Sequence, residues 1–243
     1  MVVLALVMEG FARFGPVDTA FLPPLSSILA ELAKAAVTPA FLQSIGWTVI
    51  TYAAGLGVAA VIAIPLGILL GLSNFTYRIT RAVLDLVRPM PVVALIPLLI
   101  LIFGQTFEMK VVLVSFASLW AILFNTIYGV RDVDPLLLEM GRSLRFSPLK
   151  RIRRIVIPAA APFIMTGVRL SSTVALLVVI SVELIAGGRA GLGAYIAAMR
   201  DMGTNVPRMF SGMIAAGILG LIINSVIAMI ERRFFSWHER KDF

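Results

Sequence analysis

The chain has 243 residues, of which 60% are hydrophobic and only 14% are charged. Because the charged fraction of a soluble domain averages about 25%, this composition excludes a soluble globular protein and indicates a membrane protein. The absence of cysteine excludes disulfides and thiolate metal sites, and in a chain this apolar the net charge of +8 does not by itself indicate nucleic acid binding.

The first 41 residues are predicted to form a short or truncated first helix followed by an external amphipathic segment. Residues 1–14 hold too few apolar residues before Glu9 and Arg13 to cross a bilayer alone, and they lack the small-residue cleavage site of a signal peptide. Residues 42–233 are predicted to be the membrane domain, and residues 234–243 a polar cytoplasmic tail.

Five membrane spans are predicted within the membrane domain. About 20 apolar residues are enough to cross a bilayer, and the chain has several stretches of that length without an ionisable side chain. With the first helix, this predicts an all-α polytopic protein of five or six transmembrane helices. The predicted spans are about 45–72, 86–104, 109–130, 159–186 and 209–231.

Three prolines in the second span, Pro89, Pro91 and Pro97, are candidates for lining a cavity in the membrane, which would be the pathway if the chain is a transporter. Proline frees backbone carbonyls that neighbouring groups must satisfy inside a membrane, and such places often line cavities. The alternative interpretation is that these prolines only begin and bend a buried helix.

Two charged residues lie inside the fourth span, where ionised side chains are costly and usually face the bundle or water. Glu183 is a fourth candidate for such a pathway, as a gate or as the partner of a basic residue such as Arg189, if the chain is a transporter, and its alternative role is structural. Arg169 lies near the cytoplasmic end of the span, where its long side chain can reach the interface.

Basic residues are distributed unequally between the loops. If the first segment runs outward, residues 73–88, 131–154 and 231–243 share one side and hold fourteen Lys and Arg residues, against five on the other side. Short loops rich in Lys and Arg stay in the cytoplasm, so the central loop and the C-terminus are predicted to be cytoplasmic. Such residues also contact anionic lipid headgroups.

The central loop is predicted to contain two short helices, at 135–146 and 148–157. Each begins where a side-chain acceptor precedes a proline, at Asp134 and Ser147, which is the preferred start of a helix. The second helix carries basic residues on one face and is predicted to lie in the membrane interface.

The first loop helix has an apolar stripe at spacings of three and four, formed by Leu137, Met140, Gly141 and Leu144. A cytoplasmic stripe has no lipid to cover it. It therefore either binds a protein partner or packs back onto the helix ends of this chain.

Several motifs resemble a known family. Glu139-Met140-Gly141, followed by IVIP at 155–158, resembles the EAA loop of permease subunits of binding-protein-dependent ABC importers. The likeness covers nearly the whole chain and is greatest to the nitrate, sulfonate and taurine branch. Its other motifs, in order, are LPP at 22–24, IPLGILLGLS at 64–73, RPMPVVALIPLLILIFG at 88–104, NTIYGVR at 125–131 and TGVRL at 166–170.

The resemblance implies a type I importer transmembrane domain whose EAA loop forms a coupling helix in a cleft of a cytoplasmic ATPase. Two residues depart from the family pattern, because Met140 replaces a small residue and Arg145 stands where the motif has glycine. The residues implied in ATPase coupling are Glu139, Met140, Gly141, Ser143, Leu144, Arg145 and Phe146.

The resemblance also implies the partners. The chain has no GxxxxGK[ST] phosphate loop, so ATP and Mg²⁺ are expected on the partner ATPase and no cofactor is expected in this chain. The expected partners are a cytoplasmic ABC ATPase dimer, a second permease subunit that is identical or related, a periplasmic or lipid-anchored substrate-binding protein, and membrane lipid. The expected location is the bacterial inner membrane, and no nucleic acid is expected.

The expected function is the import of a small solute, such as a sulfonate, nitrate or carboxylate anion, or alternatively a vitamin precursor. An integral membrane enzyme would need clustered His, Asp or Glu residues, whereas the one histidine, His238, lies in the polar tail. A self-sufficient secondary carrier would show paired repeats with broken segments, and no such repeat is visible in the sequence.

Overall fold

The computed structural model describes residues 2–14, 21–87, 90–187, 190–203 and 205–235. Regular structure in these ranges is entirely helical, which confirms the predicted all-α class. The elements in chain order are α1 (Val2–Phe14), α2 (Leu25–Ala36), α3 (Pro39–Leu72), α4 (Asn74–Val87), a 3₁₀ helix (Val92–Leu95), α5 (Ile96–Phe103), α6 (Phe107–Arg131), α7 (Pro135–Ser143), α8 (Pro148–Arg151), a π-helical turn (Ile152–Val156), α9 (Ile157–Ala186), α10 (Leu192–Met202) and α11 (Val206–Phe235).

Four helices within the described part of the chain are long and apolar enough to cross a membrane. They are Pro39–Leu72, Phe107–Arg131, Pro148–Ala186 and Val206–Arg233. Each contains one of the predicted spans, and the fifth predicted span is described below.

α3 and α6 pack closely because glycines on α3 meet side chains of α6. A Cβ atom added to Gly55 would lie 2.5 Å from Val114 Cγ1, and one added to Gly67 would lie 2.6 Å from Thr126 Cβ. Real Cβ atoms do not approach so closely, so only glycine permits this distance between the helices. The contacts advance along both helices in the same order, and α3 and α6 are therefore parallel.

α9 packs against both α6 and α3, and it runs in the opposite direction to α6. A Cβ atom at Gly129 would lie 2.6 Å from Phe163 Cβ, and one at Gly167 would lie 2.9 Å from Asn125 Cβ. As the residue number rises on α9 it falls on α6, so these helices are antiparallel.

Residues 73–106 must return along the length of the bundle, because they connect two parallel helices. The predicted span 86–104 is wrong as a single helix: the chain instead forms the 3₁₀ helix and α5 over Val92–Phe103. These elements rise about 20 Å in total, less than the roughly 30 Å of a bilayer core. Pro97 lacks an N–H and lies in the first turn of α5, so it begins a new helix instead of extending an old one.

The predicted separate helix at 148–157 is also wrong, since Pro148–Ala186 is continuous. A π-helical turn at Ile152–Val156, in which the N–H of Ile157 donates to the carbonyl of Ile152, carries the helix past Pro158 without a break. The basic residues predicted for an interfacial helix therefore form the first turns of a long membrane helix.

α11 runs antiparallel to α9, so its last turn, with Arg232 and Arg233, lies at the same end as Arg131 and α7. A Cβ atom at Gly220 would lie 3.1 Å from Leu176 Cδ2, and Arg169 pairs with Glu231 at 3.2 Å. We call the end that holds α7, Arg131 and the last turn of α11 the basic end. The opposite end holds the start of α6, the end of α9 and α10.

The first 41 residues contain two described helices joined by a polar cluster. Glu9 accepts hydrogen bonds from the backbone N–H of Ser26 at 3.1 Å and from its hydroxyl at 2.8 Å, and it pairs with Arg13 at 2.7 Å. α2 then packs against α11 near Ala215.

The close approach of α3 and α6 predicts the effect of enlarging its glycines. Gly55→Leu should lower the free energy of unfolding by about 1–3 kcal/mol, because the added atoms overlap Val114. Thermal unfolding of the purified chain in detergent measures the change. Gly57→Leu on the same helix is the control, since a Cβ atom at Gly57 meets nothing within 4 Å. Equal losses in both variants would contradict this packing.

Candidate functional site

α7 lies at the basic end and is defined by caps at both termini. The Asp134 carboxylate accepts a hydrogen bond from the N–H of Leu136 at 2.8 Å, and Pro135 occupies the first turn. At the other terminus the N–H of Phe146 donates to the carbonyl of Gly141 at 3.0 Å, and that of Arg145 donates to Arg142 at 2.9 Å. This pair of bonds is the Schellman motif that ends many helices.

Arg145 occupies the left-handed position of this motif, with φ of 52°. It is the one non-glycine residue with positive φ within the described chain. Glycine is favoured at such a position because it has no Cβ atom to clash with the backbone. The glycine of the family pattern therefore has a conformational reason, and Arg145 adopts the same backbone at some cost.

Gly141 packs α7 against the long helix that begins at Pro148. It is buried, and a Cβ atom there would lie 2.6 Å from Ile155 Cδ1. Leu138 is half-buried and packs against a cluster that includes Val156. On this face, the interpretation that α7 packs onto the chain's own helix ends is the one the structure supports.

The other face of α7 carries an exposed apolar stripe at spacings of four: Leu136 is 62% exposed, Met140 53% and Leu144 63%. Leu137, at 42%, widens it. We call these four residues the α7 stripe.

The remaining residues implied in ATPase coupling surround the stripe. Glu139, Ser143 and Arg145 are exposed, whereas Phe146 is half-buried beneath the Lys150 ammonium, which lies 4.1 Å from its ring centroid. Of the seven implied residues, only Gly141 faces fully inward.

A groove of about 450 Å³ lies midway along the bundle, between the 3₁₀ helix, α6 and α9. α6 lines it with aromatic residues at spacings of four, Trp120, Phe124 and Tyr128, and with the amide of Asn125. The residues that line it within the described chain carry no charge.

The proline candidates lie next to the groove. Pro91 and Pro97 flank the 3₁₀ helix, whose Val92 and Val93 line the groove, whereas Pro89 lies outside the described residues. The α6 aromatic residues were not among the site residues predicted from the sequence. An aromatic residue at every fourth position beside a lone amide inside a span was the available signal.

Glu183 is fully buried at the opposite end and holds the start of α10. Its Oε2 accepts hydrogen bonds from the Thr48 hydroxyl at 2.8 Å and from the N–H of Gly193 at 3.0 Å. The Thr48 oxygen in turn accepts from the N–H of Leu192 at 2.7 Å. A carboxylate suits a helix N-terminus because the N–H groups there lack partners and carry partial positive charge.

Gly191 makes this arrangement possible. Its φ is 123°, and a Cβ atom there would overlap the Glu183 carboxyl group. The suggested partner Arg189 lies outside the described residues. The basic residue near Glu183 within them is Lys110, while Arg169 instead pairs with Glu231 at 3.2 Å.

Comparisons with known proteins confirm the resemblance. Residues 63–236 match the family described as "Binding-protein-dependent transport system inner membrane component". The chain is 28% identical to SsuC of Bacillus subtilis (strain 168), named for aliphatic sulfonate transport, over 97% of this chain and 84% of SsuC. It is 27% identical to the taurine transport system permease TauC of Escherichia coli (strain K12), over 98% and 88%. It is 29% identical to the bicarbonate transport system permease CmpB of Synechococcus elongatus, over 74% and 64%.

Solved structures share the fold. A chain of the inward-facing MetNI methionine ABC transporter superposes with a TM-score of 0.66 over 79% of this chain and 94% of that one, at 20% identity. An amino acid ABC transporter crystallised with histidines gives 0.67 over 83% and 97%, at 18% identity. The type I importer transmembrane fold implied by the sequence motifs is thereby confirmed.

The left-handed backbone at Arg145 predicts that glycine stabilises the end of α7. Arg145→Gly should slow hydrogen exchange at the Phe146 amide by about fivefold, for a gain near 1 kcal/mol. Arg142→Gly, inside the same helix, should speed exchange because glycine disfavours helix. The assignment fails if Arg145→Gly also speeds exchange.

The buried Glu183 cluster predicts a structural penalty. Glu183→Gln weakens the hydrogen bonds at the start of α10 and leaves the Lys110 charge uncompensated, so it should lower the free energy of unfolding by about 1.5–3 kcal/mol. Thermal unfolding in detergent measures the loss. Glu231→Gln, which breaks a half-exposed pair, is the control and should cost less than about 1 kcal/mol. Similar losses would contradict the capping role.

Proposed function

Because the chain belongs to the binding-protein-dependent transport system inner membrane component family, we propose that a separate ATPase drives its conformational changes by acting on α7. It is the permease subunit of an ABC importer, so it needs a source of free energy outside itself. The α7 stripe, an exposed apolar surface on the central loop, is the observation that carries the proposal. The proposed occupant of the stripe is a cytoplasmic ATPase subunit.

The packing of α7 supports a mechanical route to the membrane. Gly141 lies against Ile155, which belongs to the helix that continues without a break from Pro148 to Ala186. A displacement of α7 by the closing ATPase dimer would therefore move one end of a helix that runs the length of the bundle. The resulting shift between inward-facing and outward-facing states is limited by the difference in binding free energy between those states.

The proposed orientation places the basic end in the cytoplasm, together with the last turn of α11 and the C-terminal tail. Basic residues at that end include Arg131, Arg151, Arg154 and Arg232. The positive-inside rule supports this orientation. It also brings α7 to the side of the membrane where ATP is available.

The proposed pathway runs along the groove beside α6. The groove is open on one side, so a second permease subunit, identical or related, is proposed to supply the opposite wall. Broken helical structure at membrane depth is tolerated where it is buried or lines a cavity, which fits the position of Val92 and Val93. Pro91 and Pro97 are proposed to shape the groove wall formed by the 3₁₀ helix. Glu183 is proposed to have a structural role at the end opposite α7, without contacting the solute.

The proposed solute is a small anion such as a sulfonate, nitrate or carboxylate. Relatives named for sulfonate, taurine and bicarbonate transport support this class. The described lining residues of the groove carry no charge, which suits passage because a conducted solute must bind weakly enough to leave. A periplasmic or lipid-anchored binding protein is proposed to deliver the solute to the end opposite α7.

The role of the α7 stripe is tested by a charge placed on it. Leu136→Glu should abolish substrate-stimulated ATP hydrolysis in the complex reconstituted with its copurifying chains, because a buried interface would have to desolvate the carboxylate. The substitution is compatible with α7 itself, since a negative charge is favourable in the first turn of a helix.

Leu149→Glu is the matched control. Like Leu136, Leu149 lies in the first turn of a helix, directly after a proline that follows the N-cap residue. It is 75% exposed but lies outside the α7 stripe. It should leave stimulation within about twofold. If Leu136→Glu retains normal stimulation, α7 does not couple the chain to the ATPase.

A further inference from the structure

Lys110 is buried, although lysine side chains are rarely buried in proteins. It lies in the second turn of α6 at the end opposite α7, and only 6% of it is exposed. Lysine is almost never buried to this degree unless it is paired. The position is also unfavourable for a cation, because the N-terminus of a helix carries partial positive charge.

The contacts of Lys110 within the described chain compensate this charge only in part. Its Nζ donates one hydrogen bond, to the carbonyl of Ala190 at 2.8 Å, although an ammonium group has three donors. Glu183 is close enough to act electrostatically, but Thr48 and Gly193 hydrogen-bond to its carboxylate and it forms no ion pair with Lys110 within 4.0 Å.

A cavity of about 230 Å³ adjoins this ammonium group. Lys110, Thr51, Gln105 and Thr106 line it with polar groups, together with Trp47. Drug-sized ligands occupy pockets of roughly 300–1,000 Å³, so this cavity suits a smaller molecule.

The polar groups of the cavity favour an anion. The Thr106 oxygen accepts a hydrogen bond from the N–H of Met109 at 3.3 Å, which leaves its hydroxyl hydrogen free to donate. Gln105, another lining residue, carries an amide whose N–H groups can donate hydrogen bonds. Trp47 and Phe107, whose ring centroids lie 6.4 Å apart, form an aromatic wall of the cavity.

We propose that this cavity is a binding site for a small oxyanion, with Lys110 as its charged contact. The proposal rests on the proposed function, in which small anions enter the permease at the end opposite α7. It adds a capture site to that pathway. The anion would meet a fixed cation at the entrance and then a groove midway along the bundle whose described lining residues carry no charge.

Methanesulfonate binding to the full chain in lipid nanodiscs tests the site. Trp47 reports binding by its fluorescence once Trp120→Phe and Trp237→Phe remove the other two tryptophans. At constant ionic strength, set with sodium gluconate, the emission of Trp47 should change saturably with sodium methanesulfonate. Lys110→Met should raise the half-saturation concentration at least about tenfold, as expected for the loss of a hydrogen bond to a charged group.

Two further variants keep the test decisive if Lys110→Met does not fold. Gln105→Glu should also raise half-saturation about tenfold by repulsion, and its charge suits the helix N-terminus next to it. Lys34→Met removes an exposed, ion-paired lysine and should change half-saturation less than about twofold. No saturable change in the starting protein, or an unchanged half-saturation in Gln105→Glu, would overturn the proposal.

The outcome is separable from that of the coupling experiment. Methanesulfonate binding is measured on the permease alone, and Leu136→Glu should retain it. Loss of coupling in that variant with normal binding supports both assignments. Normal coupling with normal binding would remove the role of α7 and leave the anion site in place.

Discussion

The close parallel packing of α3 against α6 is the constraint on which the rest of the structure depends. Glycines at positions 55 and 67 allow it, since any larger residue would overlap Val114 or Thr126. Two parallel neighbours oblige the connecting segment to travel back along the bundle. The chain makes that return with short helices separated by prolines, and one of these, the 3₁₀ helix, lines the groove beside α6.

The two ends of the bundle differ in how deeply their charged side chains are buried. At the basic end, arginines and lysines surround an apolar helix face that the described residues leave exposed. At the opposite end, Glu183 and Lys110 are buried among backbone groups, with Glu183 capping α10 and Lys110 bonded to the carbonyl of Ala190. One end is therefore suited to a protein partner, and the other to a small charged ligand.

The α7 helix has two different faces. Its Gly141 face packs closely on Ile155 of the long helix from Pro148 to Ala186. Its apolar face is exposed among the described residues. Arg145 ends the helix in a backbone conformation that glycine would adopt more easily, which shows that the turn itself is retained despite an unfavourable residue.

The sequence by itself determined the membrane class, the positions of the long helices, the unequal charge of the loops and the family. These properties depend on local hydrophobicity, charge and sequence motifs. They do not depend on how the helices are arranged in space. Only the tertiary structure decided that residues 86–104 are broken, that 148–157 continues into α9, and that α6 supplies the groove. Contacts such as Thr48 to Glu183 join residues 135 positions apart in the sequence. In a uniformly apolar helix, shape complementarity with neighbouring helices decides which face packs inward, and no local sequence pattern encodes it.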